Sequence, residues 1–256
     1  MSFRFCVKEF AATAMLFAVC TSVRAGPPDD LVRKGDVFDA KLQATEALEF
    51  YLPAEKLEPT NVRILVRIAR QYRYLMADAL TREEKLRLGD IALKYAQRAA
   101  TLAPDDAEAQ LSIAISYGKM LPLMGIREQI EASRQIKRTV DRAIKLDPNN
   151  DLAWHVLGRW HRVLSEVSTF KRSVASLVYS KLPQTTTEEA VRCFQKAIEI
   201  NPNRLMHYVE LGRAYAQMGR TAEARRFIEK GLAMPDVGKD DPETRRRGQE
   251  TLAKLR

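Results

Sequence analysis

The chain has 256 residues, 46% of them hydrophobic, and its 42 lysines and arginines outnumber 33 aspartates and glutamates to give a formal charge of +9. With only 11 glycines and 11 prolines, this composition excludes a disordered chain and fits a folded protein with few turns and one sizeable core. The basic balance favours acidic partners without naming one, because nucleic acid, lipid headgroups and acidic peptides all respond to it.

Residues 1–25 read as a secretory signal peptide. Arg4 and Lys8 form a positive start, residues 11–19 are apolar, and Val23-Arg24-Ala25 offers a cleavage site before Gly26. The apolar run is too short to span a bilayer. Export to the periplasm or outside the cell is therefore expected. The alternatives are a mitochondrial presequence, since Glu9 is the segment's one acid, or a cytoplasmic chain. Cleavage would leave Cys193 as the one thiol, without a disulfide partner and best read as a small buried hydrophobe.

Residues 26–30 (Gly-Pro-Pro-Asp-Asp) read as a polar linker. From Leu31 a helical repeat follows, organised around residues 151–202. There Trp154, Leu157-Gly158, Ala190, Phe194, Ala197 and Pro202 stand in the order of a tetratricopeptide (TPR) repeat. Aligning Pro59, Pro104, Pro148 and Pro202 brings Ala47, Tyr51 and Ala54, then Ala92, Ala96 and Ala99, then Ile136, Val140 and Ala143 into the same register. Leu65, Ile68 and Tyr72, then Ile113 and Tyr117, then Leu211 and Tyr215 match across the first helices and, with Trp154, Leu157 and Phe194, form the expected core.

The prolines are 45, 44 and 54 residues apart, longer than the usual repeat of about 34. The first insertion carries Thr81-Arg82-Glu83-Glu84, a capping-box pattern that should lengthen a second helix. The third, residues 162–184, has Phe170, Val174, Leu177 and Val178 at helical spacing and should add a helix. Gly219 and Thr221 should end one helix and cap the next, and residues 236–256 should form a C-terminal solvating cap. The expected fold is all-α, a right-handed α-α superhelix of TPR type with inserted helices over residues 31–235.

Several segments together resemble the regulator of microtubule dynamics family. They are Leu65-Val66-Arg67-Ile68-Ala69-Arg70, Gly125-Ile126-Arg127-Glu128-Gln129-Ile130, Arg142-Ala143-Ile144-Lys145-Leu146-Asp147-Pro148, Trp154-His155-Val156-Leu157-Gly158-Arg159-Trp160 and Lys171-Arg172-Ser173-Val174-Ala175. The resemblance covers roughly residues 61–235 and implies a helical adaptor associated with microtubules, with lipid binding in one branch. An exported protein would not meet cytoplasmic microtubules, so that role depends on residues 1–25.

No catalytic pattern is present: there is no Gly-rich phosphate loop, no Cys-x-x-Cys, no His-Glu-x-x-His and no Gly-x-Ser-x-Gly. His155 and His161 are six residues apart, about 600° around a helix, and cannot share a metal. A non-enzymatic binding module without cofactor or metal is expected. In TPR solenoids the first helix of each pair lines the concave face, which selects Arg63, Arg67, Arg70, Arg73, Leu111, Ile115, Lys119, His155, Arg159, Arg162 and Arg213 as the candidate groove. Arg63, Arg67 and Arg70 fall on one stripe, a like-charge spacing that costs an isolated helix about 0.2–0.5 kcal/mol per pair. A groove that receives an anion would justify it. Leu111, Ile115, Leu152 and Val156 supply an apolar floor. The expected partner is an acidic peptide or protein segment, with anionic lipid as the alternative. Nucleic acid is disfavoured because no row of aromatics lines the groove.

Overall fold

The structure is a computed structural model that describes residues 26–166 and 185–255. The signal-peptide reading of residues 1–25 and the helix expected around Phe170–Val178 lie outside the described residues. The described residues hold eleven α-helices, one 3-10 turn at Leu121–Leu123, and no strand. The helices are α1 (Pro27–Asp39), α2 (Ala44–Leu57), α3 (Val62–Asp78), α4 (Arg82–Leu102), α5 (Ala107–Met120), α6 (Ile126–Leu146), α7 (Asp151–Ser165), α8 (Thr187–Ile200), α9 (Leu205–Gln217), α10 (Thr221–Leu232) and α11 (Asp241–Lys254). They pack as consecutive pairs, each first helix also touching the previous pair, and α11 closes the array on α9 and α10. This is an all-α helical solenoid.

The four aligned prolines end helices by one local mechanism. A following proline excludes the α conformation from the residue before it. Glu58, Ala103, Asp147 and Asn201 accordingly sit at φ between −130° and −137°, one residue past the end of α2, α4, α6 and α8. Two residues beyond the proline a short polar side chain starts the next helix. Asn61 Oδ1 accepts from Ile64 N, Asp106 Oδ1 from Ala109 N and Asn150 Oδ1 from Ala153 N. Arg204 breaks the series and caps nothing with its side chain. Thr81 accepts from Glu84 N and starts the long α4, while Glu84 turns to Arg87, so the capping box is half formed. Thr186 and Glu189 make a complete box at α8.

Packing alternates small and large side chains. Ala47, Ala54, Ala92, Ala96, Ala99, Val140, Ala143, Ala190 and Ala197 are fully buried on the second helices. The glycine of each Leu-Gly pair lets a neighbour approach closely. A Cβ at Gly158 would lie 2.7 Å from the Phe194 ring, and one at Gly212 would lie 2.8 Å from the Ala224 carbonyl oxygen.

Several expectations need correction. Residues 27–30 are the first turn of α1 and not a linker. Two prolines fit where helical N–H groups have no partner, and Asp29 and Asp30 oppose the helix dipole. Tyr72, Tyr117 and Trp154 are only partly buried. The Trp154 indole N–H reaches the Pro148 carbonyl at 2.9 Å, which holds that ring at the surface. The buried tryptophan is Trp160, its N–H 3.0 Å from Ser133 O and Oγ. Gly219 ends α9 at φ +73° as expected, but Thr221 is the first residue of α10 and caps nothing. The segment from residue 236 does more than solvate the end: Thr244 and Gly248 are buried, and Gly248 lies close against Val209 and Ile228.

Candidate functional site

The candidate residues stand on helices α3, α5, α7 and α9, and the structure gives most of them a partner within the chain. Arg63 is exposed and its carbonyl accepts from Arg67. Arg67 grips Asp36 of α1 with two nitrogens, at 2.7 and 3.2 Å, and Asp36 also accepts from the Tyr51 hydroxyl at 2.5 Å. Arg70 pairs with Asp39. Two of the three arginines of the α3 stripe, Arg67 and Arg70, thus meet α1, and their charges are answered from residues 31 positions upstream.

Arg73 is buried. Its Nη1 donates to Ser112 Oγ at 2.8 Å and Ser116 Oγ at 3.2 Å, and burial, then the charge of Arg70, pushes its pKa down to about 10. Leu111 belongs to the core and not to a groove floor; it packs with Ala114, Ile136 and Trp160. Ile115, Leu152 and Val156 are partly buried beside it. Lys119 pairs with Asp240 at 2.5 Å; burial pulls its pKa down, and Asp240 opposes the shift. His155 is buried and cannot face a ligand directly. Its Nδ1 lies 3.0 Å from His207 Nδ1, and His207 Nε2 meets Asp151 at 2.9 Å. Burial, then the charge of His207, holds the His155 pKa well below its ordinary value.

Arg162 and Arg213 meet at a residue that sequence reasoning did not single out. Glu210 of α9 is fully buried and ringed by arginines. Arg162 Nε lies 3.2 Å from its Oε2, Arg213 Nη1 2.7 Å from Oε1, and Arg247 Nε 3.4 Å from Oε1. Arg162 also reaches Glu166 at 3.1 Å. Burial pushes the Glu210 carboxyl up, but Arg162, Arg159, Arg213 and Arg247 outweigh it and hold it well below the usual carboxylate range. The spacing of Glu210 and Arg213 was visible in the sequence; the convergence of Arg162 and Arg247 from other helices was not.

Arg159 completes the ring differently. It is partly exposed and has no hydrogen-bond or ion-pair partner among the described residues. Burial lowers its pKa, Glu210 raises it, and the charges of Arg247, Arg162 and Arg213 lower it again. Glu210 is thus shared by Arg162, Arg213 and Arg247, with Glu166 and Glu243 as further partners of the first and last, and Arg159 stands beside them without a carboxylate among the described residues.

Among the described residues, no group of three or more His, Cys, Asp or Glu is placed to hold a metal ion. Cys193 is buried, and burial pushes its thiol up to about 12, far from a reactive thiolate. His161 is packed edge-on to Trp160 and meets the Thr185 hydroxyl. No described helix is long and apolar enough to cross a membrane.

Residues 31–256 match the family described as Regulator of microtubule dynamics protein 1-3. The chain belongs to this family. Regulator of microtubule dynamics protein 2 of Macaca fascicularis is 26% identical over 217 residues, which is 83% of this chain and 52% of that protein. Regulator of microtubule dynamics protein 1 of Mus musculus is 28% identical over 213 residues, 82% of this chain and 70% of that protein. The chain spans about half the length of the first of these relatives. Among solved structures, a thermophilic TPR protein of Thermus thermophilus superposes with a TM-score of 0.64 at 18% identity, covering 88% of this chain and 99% of that one. The likeness shows the TPR fold.

Proposed function

We propose that the chain is a non-enzymatic adaptor that receives an acidic segment of a protein partner at Arg159. One observation carries this reading: the Arg159 guanidinium has no partner among the described residues while Arg162, Arg213 and Arg247 already share the buried carboxylate of Glu210. A guanidinium in that position gains from an incoming carboxylate, which it can bind through two parallel hydrogen bonds. The reading narrows the candidate groove, because Arg67, Arg70 and Lys119 already hold carboxylates of the chain itself. An acidic peptide suits the face better than an anionic lipid. A lipid chain needs a closed apolar pocket, and Leu111, the most buried residue of the supposed floor, is core.

The family name brings forward microtubules as a partner, and co-sedimentation with assembled tubulin tests that. The relatives are proteins of animals, whose cells have no periplasm, which supports the mitochondrial or cytoplasmic alternative for this chain. The N-terminal mass of the native protein decides between those and cleavage before Gly26.

The Arg159 reading is tested with a fluorescein-labelled hexaglutamate peptide. Arg159→Gln should weaken its binding by about tenfold, the scale of one lost charge-assisted contact, at unchanged helix content. Added salt should shrink the difference. Equal binding by Arg159→Gln and wild type sinks the reading.

A further inference from the structure

The turn between α10 and α11 does something that a connection of two packed helices does not need. Asp241, itself buried, accepts from Val237 N at 2.8 Å and Gly238 N at 2.7 Å and folds residues 237–241 into a fixed turn. Thr244 donates from both its N and its Oγ1 to the Asp240 carbonyl at 2.9 Å. The turn then presents two consecutive side chains to helices of the N-terminal half. Lys239 reaches Asp78, the last residue of α3, at 2.8 Å, and Asp240 reaches Lys119 in the last turn of α5, at 2.5 Å. Asp240 and Lys119 are 121 residues apart in the chain.

These two pairs do not hold α11 in place. Asp78 and Asp240 are about half exposed, and such pairs contribute little to stability. The helix is anchored by Thr244 and Gly248 in the core and by Arg247 on Glu210. Lys119 is different: its ammonium is mostly buried, with Arg73 and Arg159 as like-charged neighbours and Asp240 as its counter-charge. Asp78 and Lys119 thus offer two points, a carboxylate and a cation, and in this structure the chain meets both with its own consecutive Lys239 and Asp240.

We infer that Asp78 and Lys119 bind a turn of a partner protein in which a basic residue is followed directly by an acidic one, and that residues 237–241 are an internal occupant which such a partner displaces. This rests on the reading of the face as a peptide-binding surface and extends it by a second contact that sets charge order. A tethered occupant acts at an effective concentration in the millimolar range for short connections, so a free peptide of the same sequence should bind poorly until the tether's side chains are removed.

The experiment uses the full chain and a fluorescein-labelled peptide copying residues 234–243, Met-Pro-Asp-Val-Gly-Lys-Asp-Asp-Pro-Glu. The host is the double variant Lys239→Ser/Asp240→Asn, whose backbone turn is kept by Asp241. The host should bind the peptide about tenfold or more tighter than wild type, as expected when a tethered competitor is removed. A peptide with its Lys and the following Asp exchanged should bind the host weakly, and adding Lys119→Met should abolish binding. Matching helix content and melting temperature show that each variant is folded. Equal binding by host and wild type, by both peptides, or by the host with and without Lys119→Met overturns the inference, as does no binding to the host. Hexaglutamate on the same proteins separates the two readings. If it still binds through Arg159 while the copy peptide fails, only the inference on Asp78 and Lys119 falls; if its binding is indifferent to Arg159, the acidic-segment reading falls.

Discussion

Glu210 shows how much one side chain can organise. A carboxylate with no exposed surface would be strongly disfavoured alone, and Arg162, Arg213 and Arg247 compensate by converging on its two oxygens from α7, α9 and α11. The same residue therefore ties the C-terminal helix to the repeat array. Replacing it with Gln removes the charge and takes from the buried Arg162 and the partly buried Arg213 and Arg247 the carboxylate they share. We expect Glu210→Gln to destabilise the fold by about 3–5 kcal/mol, the scale for breaking a buried ion pair. Urea unfolding measures this, and a change below about 1 kcal/mol would mean that water or rearrangement neutralises the arginines. Little of this was legible in the sequence. Local spacing brings Arg213 to Glu210, but Arg162 and Arg247 lie 48 and 37 residues away, and no periodicity relates them.

At the scale of elements, the repeat was legible because its signals are local. Proline excludes α conformation one residue back, Asn or Asp two residues on supplies a cap, and alternating small and large residues reveal the packed faces; Pro148, Asn150 and Gly158 with Phe194 show all three. The fate of the α3 arginines was not legible, because their answer lies on α1. Arg67 and Arg70 fit the spacing of a ligand stripe, and only the docking of α1 reveals Asp36 and Asp39 opposite them. The consequence is a test that separates docking from ligand binding. Burial raises the Asp36 pKa, but the hydrogen bonds from Arg67 and Tyr51 outweigh it and keep the carboxylate charged. Asp36→Asn weakens both contacts at once. Because the pair is partly exposed, its loss should cost only about 1 kcal/mol, yet hydrogen exchange should quicken selectively across residues 27–39 while α8 to α10 stay unchanged. Uniform exchange along the chain would show that α1 is held by its apolar contacts alone.

Across the whole molecule, the buried titratable groups point the same way as pH falls. His155 faces His207 and, beyond it, Asp151 and Arg204; Arg159 lies on its own helix, Glu210 on α9, Phe194 on α8 and Arg247 on α11. Burial, then His207, holds its pKa well below the ordinary 6.5, and burial also lowers His161. The unfolded chain therefore takes up protons near pH 6.5 that the folded chain refuses, so this stability is complete above that value and declines as pH falls below it. Glu210, Asp151 and Asp36 have depressed carboxyl pKa values, and their contribution is present above about pH 4.5 and lost further down. A chain already at +9 gains still more positive charge along the way, which adds repulsion. The melting temperature should thus be flat above about pH 7 and fall in two stages, the first below about 6.5 and the second below about 4.5. His155→Gln, which keeps an amide to meet His207, should flatten the first stage and leave the second intact. An unchanged first stage in that variant would assign the upper titration to another group, with His161→Gln the next to measure.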